Sequence, residues 1–203
     1  MNTPDPDKIA RLQEALDHYK THGGGELFDR THEEAIAPVR KRALGLLDQR
    51  ARSRHELRER LLKAEFEEDL VEEVLDSLER SRLLDDKAFA REWVRQRAAA
   101  RGKSARALDL ELRDKGVAAD IRADALSQVS PEDEEAQARV LAEKKARAVK
   151  APPTDRQEYD KHLRRVVGVL ARRGYSSEMS LRVARETLNA RIDALDSDSS
   201  DVG

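Results

Sequence analysis

One spacing of apolar residues occurs three times in this chain and constrains its fold more than any other feature. Leu57, Leu61, Phe66, Leu70, Val74 and Leu75 superimpose on Leu108, Leu112, Val117, Ile121, Ala125 and Leu126, and again on Val166, Leu170, Tyr175, Met179, Val183 and Ala184, with every internal interval identical. Apolar side chains four apart share one helix face, so each copy predicts a helix, a sharp corner and a second helix. Leu61, Leu112 and Leu170 stand 51 and 58 residues apart, which leaves room for one further helix between successive pairs. Three tandem three-helix repeats follow, each packed mainly on its neighbours, in an array expected to be elongated and curved.

The rest of the chain supports an all-α fold. All six prolines are Pro4, Pro6, Pro38, Pro131, Pro152 and Pro153, so the 92 residues 39–130 contain none, as a helical stretch requires. Charged residues make up 39%, apolar ones 38% and aromatics only 3%, too little for one thick core. No sustained two-residue alternation appears, and β-branched and aromatic residues are too sparse for several strands. Connecting helices are predicted near 36–51, 86–100 and 132–149, with Phe89 and Trp93 as the packing stripe of the middle one. Repeat 1 then covers 36–85, repeat 2 covers 86–130 and repeat 3 covers 131–192. Residues 1–35 form a weakly helical extension with a flexible joint at Gly23-Gly24-Gly25. Residues 193–203, acidic and serine-rich, are expected to be disordered.

Corners and caps differ among the copies. Gly116 and Gly174 occupy the corner in copies two and three, where glycine takes a left-handed conformation without a Cβ penalty. Copy one has Glu65 there, which predicts a cost of roughly 1 kcal/mol if the backbone is left-handed, or a looser corner. Ser53 and Ser104 stand four residues before Leu57 and Leu108 as N-caps, and Ser53 with Glu56 reads as a capping box. Copy three has His162 at the matching place.

Little supports catalysis. Without cysteine there is no disulfide, thiolate metal site or thiol nucleophile. His18, His22, His32, His55 and His162 are scattered; only His18 and His22 share a face, and two ligands beside a glycine joint are an incomplete metal site. No P-loop, G-x-S-x-G or H-E-x-x-H occurs. Asp85 and Asp86 read as caps of the helix that follows rather than as a carboxylate pair. No enzyme, cofactor or metal is therefore expected. The first twenty residues carry acids and no apolar run, and nowhere do 18 apolar residues follow one another, so a cytoplasmic protein with no membrane partner is expected.

Charge is where function is sought. The near-neutral total hides blocks: net +5 over 36–60, −7 over 61–86 and +5 over 87–115. Within the third block Lys87, Arg91 and Arg95 lie on one helix face, Arg97 and Arg101 on another, followed by Lys103, Arg106, Arg113 and Lys115. Arg164, Arg165, Arg172 and Arg173 form a second cluster. A single charged residue is as readily a solvated face, but clusters recurring by module favour a long binding surface. No aromatic platform is expected beside them, so direct nucleic-acid binding through basic helices is the alternative reading. Reversing Arg97, Arg101 and Lys103 to glutamate is expected to weaken binding with helicity kept.

The motifs Arg42-Ala43-Leu44-Gly45-Leu46-Leu47, Ser53-x-x-Glu56-Leu57, Leu83-Leu84-Asp85-Asp86-x-x-Phe89-Ala90, Arg101-Gly102-Lys103, Lys115-Gly116 and Leu170-x-x-Arg173-Gly174-Tyr175 together resemble the RecX family over about residues 38–189. The resemblance implies a monomeric regulator that binds the RecA nucleoprotein filament and damps its ATPase, strand-exchange and co-protease activities, a role in recombination and the SOS response. It implies contact with RecA, single- or double-stranded DNA, or both. Glu65, the missing serine cap of copy three and the first 35 residues depart from the family pattern.

Overall fold

The computed structural model describes residues 24–200, with side chains described from 30 to 197. Among them are nine helices and no strand: α1 Gly24–Gln49, α2 Arg54–Leu62, α3 Glu68–Arg80, α4 Asp86–Arg101, α5 Ala105–Asp114, α6 Ala119–Leu126, α7 Pro131–Ala146, α8 Arg156–Ala171 and α9 Ser177–Ser200. None of them is long and apolar enough to cross a membrane. The helices fall in three trios, each with its own core. All eighteen residues of the repeated pattern are buried in those cores or packed against them.

Two compact units divide the chain: one runs up to Arg52 and resumes over Glu56–Leu84, the other comprises Ser53–His55 and everything from Asp85 on. In the first, Ile36, Val39, Ala43 and Leu46 of α1 meet Leu57 and Leu61 of α2 and Val71, Val74, Leu75 and Leu78 of α3. In the second, Phe89, Ala90 and Val94 of α4 pack on Leu108 and Leu112 of α5. The α7 contribution to the third core is small: Ala138, Ala142 and Ala146, all buried, bring its backbone close to α8 and α9.

Both outer boundaries differ from the sequence expectation. Helix α1 begins at Gly24 and not near Ile36, taking in Gly24, Gly25 and Pro38; Gly23, like residues 1–22, lies outside the described residues. The acidic tail is helical through Ser200, because Ile192 and Leu195 still reach the third core and the Ser197 hydroxyl donates back to the Asp193 carbonyl, 2.9 Å. Residues 201–203 lie outside the description.

All three corners are built alike. Glu65 has φ 63°, Gly116 68° and Gly174 90°. Phe66, Val117 and Tyr175 each donate a backbone N–H to the matching leucine carbonyl, Leu61, Leu112 and Leu170. Copy one is therefore no looser than the others; its helix-end hydrogen bonds hold Glu65 in the left-handed region. The two glycines answer to more than φ. A Cβ on Gly174 would stand 2.6 Å from both Ala107 Cβ and Ser104 Oγ, and one on Gly116 would run into the His55 side chain. Each glycine corner is pressed against the start of another helix, Gly116 against His55 and Gly174 against Ser104 and Ala107.

The longer second interval also has a structural origin. Helices α2 and α5 begin three residues before Leu57 and Leu108, whereas α8 begins ten before Val166. Those seven residues add about two turns to the N-terminal end of α8. Asp155 caps it by accepting from Glu158 N–H, 2.8 Å, while the Glu158 carboxylate accepts from Thr154 N–H and hydroxyl, 2.9 and 3.1 Å. This reciprocal cap replaces the missing serine and lies upstream of His162.

Candidate interaction surface

Helices α4 to α6 carry most of the predicted basic surface. The Asp85 carboxylate accepts from Ala88 N–H, 2.9 Å, and starts α4 as expected. Asp86 accepts from Arg54 N–H, 2.8 Å, so this carboxylate serves a neighbouring helix. At the other end Gly102, φ 54°, closes α4, and Ser104 opens α5 by accepting from Ala107 N–H, 3.1 Å. The tight Arg101–Ser104 link folds α5 back onto α4 and brings Glu111 beneath Trp93.

That fold-back absorbs part of the predicted surface. The Glu111 carboxylate accepts from the Trp93 indole N–H, 2.9 Å, and forms ion pairs with Arg97, 3.0 Å, and with Lys103. The Arg97 guanidinium lies 3.3 Å from the Trp93 ring centroid and Lys115 Nζ 4.6 Å, both favourable cation–π distances. Burial pushes the Glu111 carboxyl up, but Lys103, the indole donor and Arg97 outweigh it and hold it below the usual range. An aromatic ring thus does accompany the basic cluster, contrary to the sequence expectation. Trp93 meets Phe89 with ring centroids 5.4 Å apart, as the packing stripe predicts, and its ring also receives Arg97 and Lys115. Arg97 and Lys103, 20% and 30% exposed, hold the fold, so reversing them would break the Glu111 cluster and is no clean test of binding.

Other predicted residues are also engaged. Arg91 pairs with Asp124 of α6, 3.0 Å, and Arg95 with Glu92, 2.6 Å; Arg95 and Gln96 together pull the Glu92 carboxyl down to about 2. Arg173 points inward: its guanidinium donates to the Arg101 carbonyl, and its own carbonyl accepts from Ser104 N–H, 3.0 Å. Tyr175 joins this contact by donating to the Gly102 carbonyl, 3.1 Å, and burial, reinforced by Glu134, pushes its hydroxyl up to about 12.

Seven of the thirteen remain exposed with no side-chain partner among the described residues: Lys87, Arg101, Arg106, Arg113, Arg164, Arg165 and Arg172. Arg106 and Arg113 flank Leu110 on one face of α5, and Leu110 is 42% exposed. Arg164, Arg165 and Arg172 follow one face of α8, joined by exposed Lys161, a residue the sequence reading passed over. Its signal was the four-residue step from 161 to 165. Elsewhere in the third trio two cations are consumed, for Arg139 meets Glu135 and Glu186, and Arg182 meets Glu135 at 2.7 Å and Glu186 at 3.6 Å, whereas Lys144, Lys145 and Arg185 are exposed with no ion pair among the described residues. Among the described residues no group of three metal-ligating side chains occurs.

Comparison with known proteins places this architecture. A model of the first three-helix domain of RecX matches residues 40–78, and one of the second three-helix domain matches 85–126. The chain is 54% identical over 202 residues to the regulatory protein RecX of Corynebacterium efficiens, covering 95% of this chain and 96% of that one. With the regulatory protein RecX of Mycolicibacterium smegmatis it shares 41% over 168 residues, covering 80% and 87%. The crystal structure of RecX from Lactobacillus salivarius superimposes with a TM-score of 0.65 at 25% identity, covering 76% of this chain and 97% of that one.

Proposed function

Because the chain belongs to the RecX family, we propose that it is a regulator rather than an enzyme, binding the RecA nucleoprotein filament in the cytoplasm as a monomer and lowering its ATPase, strand-exchange and co-protease activities. The carrying observation is the match to a regulatory RecX along nearly the whole chain. The structure supports the reading in a second way. Exposed cations recur on α4, α5 and α8, so contacts weak one by one can add up along a polymer.

Titrating the purified protein at substoichiometric amounts into RecA on single-stranded DNA tests the reading. ATP turnover falls if it is right, and turnover unchanged across a wide titration overturns it. The surface is tested with Arg101→Glu, Arg106→Glu and Arg113→Glu combined, which leaves the Glu111 cluster intact. This variant retains its thermal midpoint and inhibits less, by roughly tenfold or more in the concentration required if each lost contact contributes about 0.5 kcal/mol.

A further inference from the structure

The outward face of α8 combines two features that fold stability does not explain. The first is uncompensated charge. Lys161, Arg164, Arg165 and Arg172 are exposed and have no ion-pair partner among the described residues. The acids nearest in the sequence are occupied: Glu158 by Thr154 and His162, and Asp160 by Arg156. The helices packed on α8 are α7 and α9, whose Glu135 and Glu186 are held by Arg139 and Arg182.

The second feature is Gly168. At about 100° per residue it lies in the middle of the basic stripe, one turn beyond Arg164 and Arg165 and one turn before Arg172. Glycine is the least favourable helix residue after proline. Gly102, Gly116 and Gly174 are accounted for by positive φ and a crowded Cβ direction. Gly168 has neither: its φ is not positive, and a Cβ there would approach only the far end of Arg172, at 3.3 Å. Gly45 of α1 is equally open, but Asp48 stands one turn beyond it. At Gly168 the α8 stripe thus has half-buried helix backbone with only the movable end of Arg172 over it, flanked by Arg164 and Arg165.

Such a notch fits a ligand that brings its own backbone down onto the helix. A carboxylate on a protein side chain can reach a guanidinium from a distance and has no use for the missing Cβ. A phosphodiester carries its charge in the chain itself. From Lys161 to Arg172 the helix rises about 16 Å, a length over which a strand stacked at about 3.4 Å per nucleotide presents about five phosphates. Of the stripe's cations only Lys161 lies in the two turns that the other copies lack.

We propose that the outward face of α8 is a nucleic-acid backbone site, with Lys161, Arg164, Arg165 and Arg172 on phosphates and Gly168 at the point of closest approach. The proposal rests on the RecA-filament reading for its setting, assigning this face to nucleic acid rather than to protein, and free DNA tests it separately.

Anisotropy of a short labelled oligothymidylate is titrated with the full chain over a range of salt. Arg164→Glu with Arg165→Glu weakens binding about tenfold or more and lowers the log–log salt slope by about 1.4, two contacts at about 0.7 each on a single strand. Gly168→Ala weakens binding several-fold although its thermal midpoint does not fall. Two controls bind as the parent does: Gly45→Ala, and Lys144→Glu with Lys145→Glu at the end of α7. Equal weakening by the lysine pair reduces the effect to net charge and overturns the proposal, as does undiminished binding by the arginine pair. Undiminished binding by Gly168→Ala overturns the close approach. A protein that lowers RecA turnover yet binds no oligothymidylate keeps the regulator reading and sinks this one; DNA binding through α8 with RecA turnover untouched does the reverse.

Discussion

The second and third helix trios each hold some arginines in ion pairs and leave others free among the described residues, but on different helices. In the second, Arg91, Arg95 and Arg97 are all turned to carboxylates of the same trio, and Arg97 and Lys103 converge on Glu111 under an indole ring. In the third, Arg139 of α7 and Arg182 of α9 are neutralised across that helix pair while Arg164, Arg165 and Arg172 of α8 face outward. A count of lysines and arginines rates the two alike. What separates them is where the next helix puts its acids, since an exposed pair is worth only about 0.2–1 kcal/mol while an acceptor shared by several half-buried donors is costly to remove.

The largest effect is expected where the charges are consumed. Glu111→Ala leaves the Trp93 N–H, Arg97 and Lys103 without their common acceptor and should cost about 1–3 kcal/mol in urea unfolding. A loss under about 0.5 kcal/mol would show that the hub holds nothing and erase the contrast between the trios. An intermediate effect lies at Glu135, whose carboxyl is drawn down to about 2, foremost by its hydrogen bonds to Arg182 and with further help from Arg139. Since the folded value lies below the ordinary 4.5, the stabilisation is complete above pH 4.5 and is lost as pH falls towards 2. The thermal midpoint of Glu135→Gln should therefore fall less steeply than that of the parent over this range; parallel curves would mean that the network adds no stability. The smallest effect belongs to the open face. Arg164→Gln with Arg165→Gln should leave unfolding within about 0.5 kcal/mol of the parent, and a larger loss would mean that these side chains have partners after all.

Much of the architecture was legible because it is periodic. Six apolar positions repeated at fixed intervals place α2, α3, α5, α6, α8 and α9, and Asp85 and Ser104 mark helix starts by a local hydrogen bond that a few residues suffice to encode. The ends were harder. Nothing around Gly24 and Gly25 announces a helix, and the tail from Asp193 is held by Ile192 and Leu195, two apolar residues among acids. The surface was least legible of all. The sequence names thirteen cations but does not sort Arg97 from Arg106, because the difference is set by Glu111, whose approach depends on the turn at Gly102. Lys161 and Gly168 were missed for a simpler reason: one is a lone lysine and the other a residue without a side chain, and each gains meaning only from the helix face they share.

Glu65 separates two demands that coincide at the other two corners. Gly116 and Gly174 each have a helix start pressed against the Cβ direction, whereas position 65 carries a full side chain at the same backbone angle. An engineer exchanging the corners could move glycine into position 65 but could not move glutamate into 116 or 174 without displacing His55, Ser104 or Ala107. The left-handed angle alone admits glutamate; a neighbour standing at the Cβ position is what excludes it.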